Sequence, residues 1–208
     1  MVWGSDGFFK SPSIGSIDVY QADPNVLYVG TGSDGIRSNV IVGKGMYKSK
    51  DAGTNWEFIG LKDTGQIGAV KIHPDDHNIV YVAAIGQPFK PNNERGLFKT
   101  IDGGKTWSKV LFISDKIGIV DIEFSPENPD IIYAASWEVN RKPWTIVSGS
   151  KDGGIYKSID AGKNWIKLSE GLPKGNIGKI DLAVTPADPH RLYALIEAEK
   201  GQGGVYVS

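Results

Sequence analysis

Residues 96–107 read Gly-Leu-Phe-Lys-Thr-Ile-Asp-Gly-Gly-Lys-Thr-Trp, and closely similar stretches occupy residues 45–56 and 154–165. A fourth copy begins at residues 204–208. Each copy follows an apolar run with one anchoring tyrosine; these are Tyr28, Tyr81, Tyr133 and Tyr193. Successive tyrosines are 53, 52 and 60 residues apart. A period of this length, rich in β-forming residues, predicts a repeat protein in which each unit buries its face against its neighbours.

Each repeat divides into four predicted strands. In the second repeat the first strand begins at Ile67, and a turn around Pro74 reverses the chain because proline removes a ladder donor. The second strand, residues 79–85, is almost entirely apolar, which is typical of a strand covered on both faces. The third strand covers residues 96–100. The fourth, residues 106–111, alternates and carries a lysine, as an outer edge does.

These units predict an all-β fold. No segment shows a helical period with caps, and four-stranded units of this kind are the blades of a β-propeller. A stacked β-helix is the alternative, although its turns are usually much shorter. We predict one domain over residues 1–208. Its blades are expected at approximately 14–61, 67–112, 117–168 and 178–208.

The spacing between repeats also assigns the N-terminal residues. The repeated tryptophan precedes the next isoleucine by 11, 10 and 12 residues, and Trp3 precedes Ile14 by 11. Residues 1–5 are therefore predicted to form a fourth strand, of the last blade or of a preceding one. We favour a segment of a larger propeller, or two chains that share an eight-bladed ring, over a closed four-bladed monomer, because four blades are the lower limit of known rings.

Composition excludes several function classes. The 23 basic and 24 acidic residues are interspersed and give a net charge of −1, so no nucleic-acid or anionic-membrane partner is expected. No apolar run approaches a membrane span, and the start does not resemble a signal peptide. There are no cysteines, and the three histidines fall in turns between first and second strands, where they do not form a ligand cluster. We predict no metal site and no cofactor.

The three complete copies resemble the Asp-box, or bacterial neuraminidase (BNR) repeat. The flanking residues 66–68, 93–96 and 141–144 look like those of large bacterial BNR-repeat "glycosyl hydrolase" proteins. Those proteins are related to sortilin-type (Vps10-like) propellers and, more distantly, to xyloglucanase propellers. The resemblance covers nearly the whole chain.

The Asp-box residues are predicted to be structural. A carboxylate can accept several N–H bonds from a tight corner, a glycine supplies positive φ, and a tryptophan fills a slot between blades. The resemblance places these corners between third and fourth strands, on the rim away from the usual ligand face. The residues concerned are Ser49, Asp51, Gly53, Trp56, Thr100, Asp102, Gly104, Trp107, Ser158, Asp160, Gly162 and Trp165.

Ligand binding is expected on the loops that join second to third strands, because these loops differ between repeats. The aromatic candidates there are Phe89, Trp137 and Trp144, and the arginine candidates are Arg37, Arg95 and Arg141. The aromatic rings could stack on sugars or hold a peptide, and the arginines could read carboxylates or hydroxyls. Alternatively, Trp137 packs between blades, and Arg141 and Lys142 cover Trp144 by cation–π contact.

A glycosidase would need two carboxylates at a defined separation. The candidates in these loops are Asp34, Glu94, Glu138 and Asp152, with Asp63 and Asp115 in the loops that join fourth to first strands, but nothing in the sequence pairs any two of them. The Phe/Tyr-Arg-Ile-Pro tetrapeptide of sialidases is absent, so sialidase activity is not expected. The sequence favours a non-catalytic propeller that binds glycan or protein in an extracellular or periplasmic protein, completed by further blades or by a homo-oligomer. A glycoside hydrolase propeller is the alternative.

Overall fold

The structure of residues 9–208, a computed structural model, consists of β-strands joined by turns and loops. Sixteen strands in these residues form four antiparallel sheets, here called blades 1 to 4 in chain order. Blades 1 and 2 contain β1 (Ile14–Val19), β2 (Leu27–Thr31), β3 (Met46–Ser49), β4 (Glu57–Phe58), β5 (Gln66–His73), β6 (Asp76–Gly86), β7 (Gly96–Thr100) and β8 (Ser108–Leu111). Blades 3 and 4 contain β9 (Ile117–Phe124), β10 (Ile132–Lys142), β11 (Thr145–Ser148), β12 (Gly154–Ser158), β13 (Ile166–Lys167), β14 (Ile177–Val184), β15 (Leu192–Ala198) and β16 (Gly204–Val207).

Each blade is a meander in which strands adjacent in sequence pair with each other. Blades 1 and 2 follow the orders β1-β2-β3-β4 and β5-β6-β7-β8, and blade 4 contains β14-β15-β16. Blade 3 has an additional strand: the first half of β10 pairs with β9 and β12, whereas its second half pairs with β11. The β10–β11 hairpin was not predicted from the sequence. The N-terminal strand predicted at residues 1–5 lies outside the described residues.

The blades lie side by side. The first strands β1, β5, β9 and β14 pack in succession, each against the next. The second strands lie in the middle of the blades and carry the continuous apolar runs; residues 80–85 of β6 are completely buried. Burying one aliphatic side chain of this size stabilises the fold by about 1.5–3 kcal/mol. The predicted all-β propeller architecture is therefore confirmed.

Three apolar clusters fill the boundaries between blades. Representative pairs are Met46 with Val80 at the 1/2 boundary, Leu97 with Ile132 at the 2/3 boundary, and Ile155 with Leu192 at the 3/4 boundary. Ile36, in the long loop of blade 1, is buried in the third cluster beside residues of other blades. Packing between blades thus supplies the core, as expected of a repeat architecture. Within residues 9–208 no helix is long and apolar enough to span a membrane.

Candidate functional site: a face of unlike loops

The three Asp-box corners lie on one face of the propeller, called here the box face. Each corner bonds to the segment of its own blade where the chain leaves the first strand and enters the second. The backbone N–H groups of Ala52, Gly103 and Ala161 donate to the carbonyls of Asn25, Asn78 and Asp130. The loops between second and third strands start at the other ends of these strands, and they form the opposite loop face.

Each box carboxylate holds its corner closed. The Asp160 carboxylate accepts the Ser158 hydroxyl at 2.8 Å and the backbone N–H of Asn164 at 2.9 Å. These bonds favour the ionised form and lower the pKa of Asp160 to about 2, with the Asn164 backbone bond as the main cause. Equivalent bonds from Asn55 and Thr106 lower the pKa values of the aspartates in the other two corners.

Two successive residues of each corner have positive φ. The box glycine is one of them; the φ of Gly53 is 85°. The residue before it is the other, and this was not foreseen from the sequence: φ is 57° at Ala52, 73° at Gly103 and 59° at Ala161. An alanine in this region costs free energy because its Cβ crowds the backbone. The corner geometry is therefore kept at some expense in stability.

The box tryptophans connect neighbouring blades. The indole N–H of Trp107 in blade 2 donates to the Ile59 carbonyl of blade 1 at 2.7 Å, and that of Trp165 in blade 3 donates to the Val110 carbonyl of blade 2 at 3.0 Å. In blade 1, the Trp56 indole donates to Gly53 of its own corner. These contacts support the structural role predicted for the box residues, which stays a prediction.

The loop face is organised around the β10–β11 hairpin of blade 3. The backbone N–H of Arg141 donates to the Pro88 carbonyl in the loop of blade 2 at 2.7 Å. Its guanidinium donates to the Arg37 carbonyl in the loop of blade 1 at 3.1 Å, and also to the carbonyls of Lys142 and Thr145. Arg141 therefore connects the loops of three blades into a single surface.

The three aromatic candidates have different environments. Trp144, at the turn of the hairpin, is 79% exposed, and Phe89, next to Pro88, is 50% exposed. Trp137 is only 4% exposed, and its indole donates to the Ser148 hydroxyl, which places it in the packing role that was the alternative interpretation. Trp144 makes no cation–π contact with the residues described here, and the Arg141 guanidinium is bonded to carbonyls instead.

Arg95 does not fit its predicted role in reading a ligand, because it is 1% exposed. Its guanidinium donates to the carbonyls of Ile85, Gln87 and Val139, so it joins the end of β6 to β10. Burial lowers the pKa of Arg95 to about 10, while the nearby carboxylates of Glu138 and Asp115 act in the opposite direction. Arg95 supports the loop face from beneath.

A cavity of about 230 Å³ opens beside the hairpin. It is lined by Pro91, Arg95, Lys116, Glu138, Val139, Asn140, Lys142 and Val147. The two lysines, the glutamate and the asparagine amide of this lining can hydrogen-bond a polar ligand that carries hydroxyl or carboxylate groups. The sequence had not indicated Lys116, because it belongs to the loop entering blade 3 and meets the hairpin only in the folded chain.

The candidate acids are dispersed over this face. Asp34 and Glu94 are exposed in the loops of blades 1 and 2, whereas Glu138 is half-buried and lines the cavity. The only relation between Glu138 and Asp115 is that the charge of each carboxylate acts to raise the pKa of Arg95. No group of three His, Asp or Glu side chains in residues 9–208 converges as a metal site.

The sequence interpretation missed a polar cluster on the first strands. The Asp18 carboxylate of blade 1 accepts the Ile72 N–H of blade 2 at 2.7 Å, and Asp121 of blade 3 accepts the Leu182 N–H of blade 4 at 2.7 Å. Between these two contacts, Lys71 pairs with Glu123 at 2.9 Å. Burial raises the pKa values of all three carboxylates. The sequence feature that could have indicated this cluster is an acidic residue within an otherwise apolar first strand.

The blades are antiparallel sheets, and hydrogen bonds from Asp-box tryptophans join neighbouring blades. These features identify the chain as part of an Asp-box β-propeller. A family model described as "Sortilin, neurotensin receptor 3" (Sortilin-Vps10) matches residues 44–202. The chain belongs to this sortilin–Vps10 family, which confirms the resemblance noted from the repeats.

Curated relatives are similar at lower coverage. The chain is 28% identical over 160 residues to a probable oligoxyloglucan-reducing end-specific xyloglucanase of Neosartorya fischeri, matching 72% of this chain and 17% of that protein. It is 26% identical over 189 residues to xyloglucanase Xgh74A of Acetivibrio thermocellus, matching 77% of this chain and 20% of that protein. The chain thus spans about a fifth of the length of these relatives.

Solved structures support the fold. An ancestral GH74 enzyme superposes with a TM-score of 0.65 at 20% identity, covering 100% of this chain and 24% of that one. A GH74 xyloglucanase of Xanthomonas campestris gives 0.62 at 17% identity, covering 92% of this chain and 28% of that one. At these identities the likeness establishes the propeller architecture alone.

Proposed function

We propose that this propeller unit binds a glycan or protein ligand on its loop face and does not cleave it. The ligand surface consists of Trp144, Phe89 and the rim of the adjacent cavity, with Arg37 at its edge. Such a unit would serve as a module of an extracellular or periplasmic protein, where polysaccharides and receptor ligands are met.

The observation that carries this proposal is the exposure of Trp144 on a hairpin that is itself held firmly. Trp144 is 79% exposed, yet the hairpin is bonded through Arg141 to the loops of blades 1 and 2. An aromatic side chain on a preorganised element loses little conformational freedom when a ligand covers it. Its flat face can stack on the C–H face of a sugar or on a peptide side chain.

A glycan array and a polysaccharide pull-down test this proposal. We expect Trp144→Ala to weaken binding of the detected ligand at least about tenfold, which corresponds to about 1.4 kcal/mol. Ile101→Ala is the matched control, because Ile101 is an exposed apolar residue on the box face. Unchanged affinity in the Trp144 variant, with the fold retained, would exclude the proposed surface.

A glycoside hydrolase function is the second candidate, and it is supported by the similarity to xyloglucanases together with the position of Glu138 in the lining of the cavity beside the hairpin. Release of reducing ends from xyloglucan, measured with the wild-type chain and with Glu138→Gln, separates the two functions. We expect no release from either protein. Release by the wild type that is abolished in Glu138→Gln would favour the enzyme.

A further inference from the structure

The cavity beside the β10–β11 hairpin has a net positive charge. Its lining contains the cationic side chains of Arg95, Lys116 and Lys142 and a single carboxylate, that of Glu138. Three positive charges against one negative charge leave a formal charge of +2, whereas the whole chain has −1. The Asp115 carboxylate, which also acts on Arg95, reduces this excess without cancelling it. A concave surface lined mainly by one sign of charge concentrates ligands of the opposite sign.

The charge of Arg95 is not paired with a carboxylate in the described part of the chain. Its guanidinium donates to three backbone carbonyls, which carry no formal charge. Its Nε has no hydrogen-bond partner within residues 9–208, although the side chain is almost completely buried. Buried charges in proteins are usually paired with an opposite charge. An anion held in the cavity would supply the negative charge that Arg95 lacks.

Lys116 and Lys142 are available to contact such an anion. Both side chains are exposed, and the salt bridges among residues 9–208 involve neither of them. Each ammonium group has three hydrogen-bond donors and no acceptor. Lys116 comes from the loop entering blade 3 and Lys142 from the hairpin, so two separate segments contribute a cation to one cavity.

The hairpin has a cavity side and an anchored side. Successive side chains of a strand point to opposite faces, so Glu138, Asn140 and Lys142 of β10 share one face, and all three line the cavity. Val147, which pairs with Asn140 across the hairpin, lines it as well. Arg141 lies on the other face, where its guanidinium bonds to the loop of blade 1. The polar groups of the cavity are therefore held in place before a ligand arrives.

The size and the lining of the cavity favour one sugar unit that carries one carboxylate. The volume of about 230 Å³ is below the roughly 300–1,000 Å³ of pockets for drug-sized ligands. A carboxylate can accept charge-assisted hydrogen bonds from two lysines. Hydroxyl groups of the same sugar can donate to Glu138 and accept from the Asn140 amide. An acidic peptide brings carboxylates without such hydroxyl groups, and Glu138 would repel it.

We propose that this cavity is a subsite for a uronic acid unit of an acidic polysaccharide. The carboxylate of the sugar lies between Lys116 and Lys142, above the buried charge of Arg95. Neighbouring sugar units extend along the hairpin towards Trp144. This subsite rests on the proposed function of the loop face and narrows its ligand to an acidic glycan.

Isothermal titration calorimetry with a matched pair of probes tests the proposal. Tetragalacturonate carries one carboxylate on each sugar unit, and its methyl ester has the same sugar backbone without these charges. We expect the full chain to bind the acid at least about tenfold more tightly than the ester. The difference should shrink as the salt concentration is raised, because salt screens exposed charges.

Three variants of the protein locate the subsite. Lys142→Gln and Lys116→Gln each remove one charge from an exposed position of the lining. Each should weaken binding of the acid about fivefold and leave binding of the ester unchanged. Lys90→Gln is the matched control, because Lys90 is exposed in the loop of blade 2 on the same face and does not line the cavity. It should bind both probes as the wild type does.

Three results would overturn the proposal: equal binding of the acid and the ester, Lys116 and Lys142 variants that behave like the Lys90 control, or no binding of either probe. If a neutral glycan on the array still bound in a manner that depends on Trp144, the proposed function would stand without the uronate subsite. Tetraglutamate that bound more tightly than tetragalacturonate, and lost affinity in Lys142→Gln, would assign the cavity to an acidic peptide instead.

Discussion

The box face and the loop face of this propeller are built from opposite kinds of sequence. On the box face three nearly identical corners bond to their own blades, and two of their tryptophans tie neighbouring blades together. On the loop face no two loops are alike, and one hairpin of blade 3 bonds to the loops of blades 1 and 2. Repetition marks what every blade needs for packing, and variation marks where a ligand can be recognised.

The largest expected effect is a difference in the free energy of unfolding between a substitution on the box face and one on the loop face. Trp107→Ala removes an indole from a blade boundary together with its bond to Ile59, and it should destabilise the fold by about 3 kcal/mol. Trp144→Ala, on the loop face, should change stability by less than about 0.5 kcal/mol. Urea denaturation of both variants measures the difference. Equal losses would contradict the division between the faces.

Arg95 tests whether a loop residue can be purely structural. Arg95→Leu removes the donor from three buried carbonyls and should cost about 2–3 kcal/mol. Arg37→Leu is the control, because the Arg37 side chain is exposed and should be nearly neutral for stability. If Arg95→Leu kept full stability but lost ligand affinity, Arg95 would belong to the binding surface after all.

The pH dependence of stability should also distinguish two sets of carboxylates. The pKa of Asp160 is lowered to about 2 in the fold, below the unfolded value of about 3.9. Its stabilising contribution is present above pH 4 and is lost as the pH falls through about 2. We expect Asp160→Asn to flatten this acid limb in urea midpoints measured from pH 5 to pH 2.

The buried carboxylates of the first strands are expected to change the pH dependence of stability in the opposite direction. Burial raises the pKa values of Asp18 and Asp121, so the folded chain binds these protons more tightly than the unfolded chain. Their contribution to stability rises as the pH falls through their raised folded pKa values. Asp121→Asn should therefore leave the acid limb as steep as in the wild type, or steeper. A flattened limb in this variant would contradict the assignment.

The smallest expected effect lies within the box face. Ala52→Gly relieves a left-handed backbone conformation that glycine adopts freely, and it should stabilise the fold by about 1 kcal/mol. The reciprocal change, Gly103→Ala, should destabilise by a similar amount. Thermal unfolding of the two variants checks the pair. Shifts of the same sign in both would show that the side-chain environment, and not φ, decides the outcome.

Much of the loop face lay beyond prediction from the sequence. Arg95 stands in an exposed-looking, polar segment, and only its bonds to β6 and β10 show that it is buried. The β10–β11 hairpin depends on pairing between residues 139–142 and 145–148. The sequence of this loop, rich in basic and aromatic residues, does not indicate that pairing. The link between Arg37 and Arg141 joins residues 104 positions apart, and no local pattern encodes it.

The sequence by itself determined the all-β fold of repeated four-stranded units, and it predicted a structural role for the Asp-box, because these are local features that recur several times in the chain. Tertiary structure alone decided which loop residues are exposed and which carboxylates bridge blades. Those properties arise from contacts between distant segments, and such contacts exist only once the blades have packed.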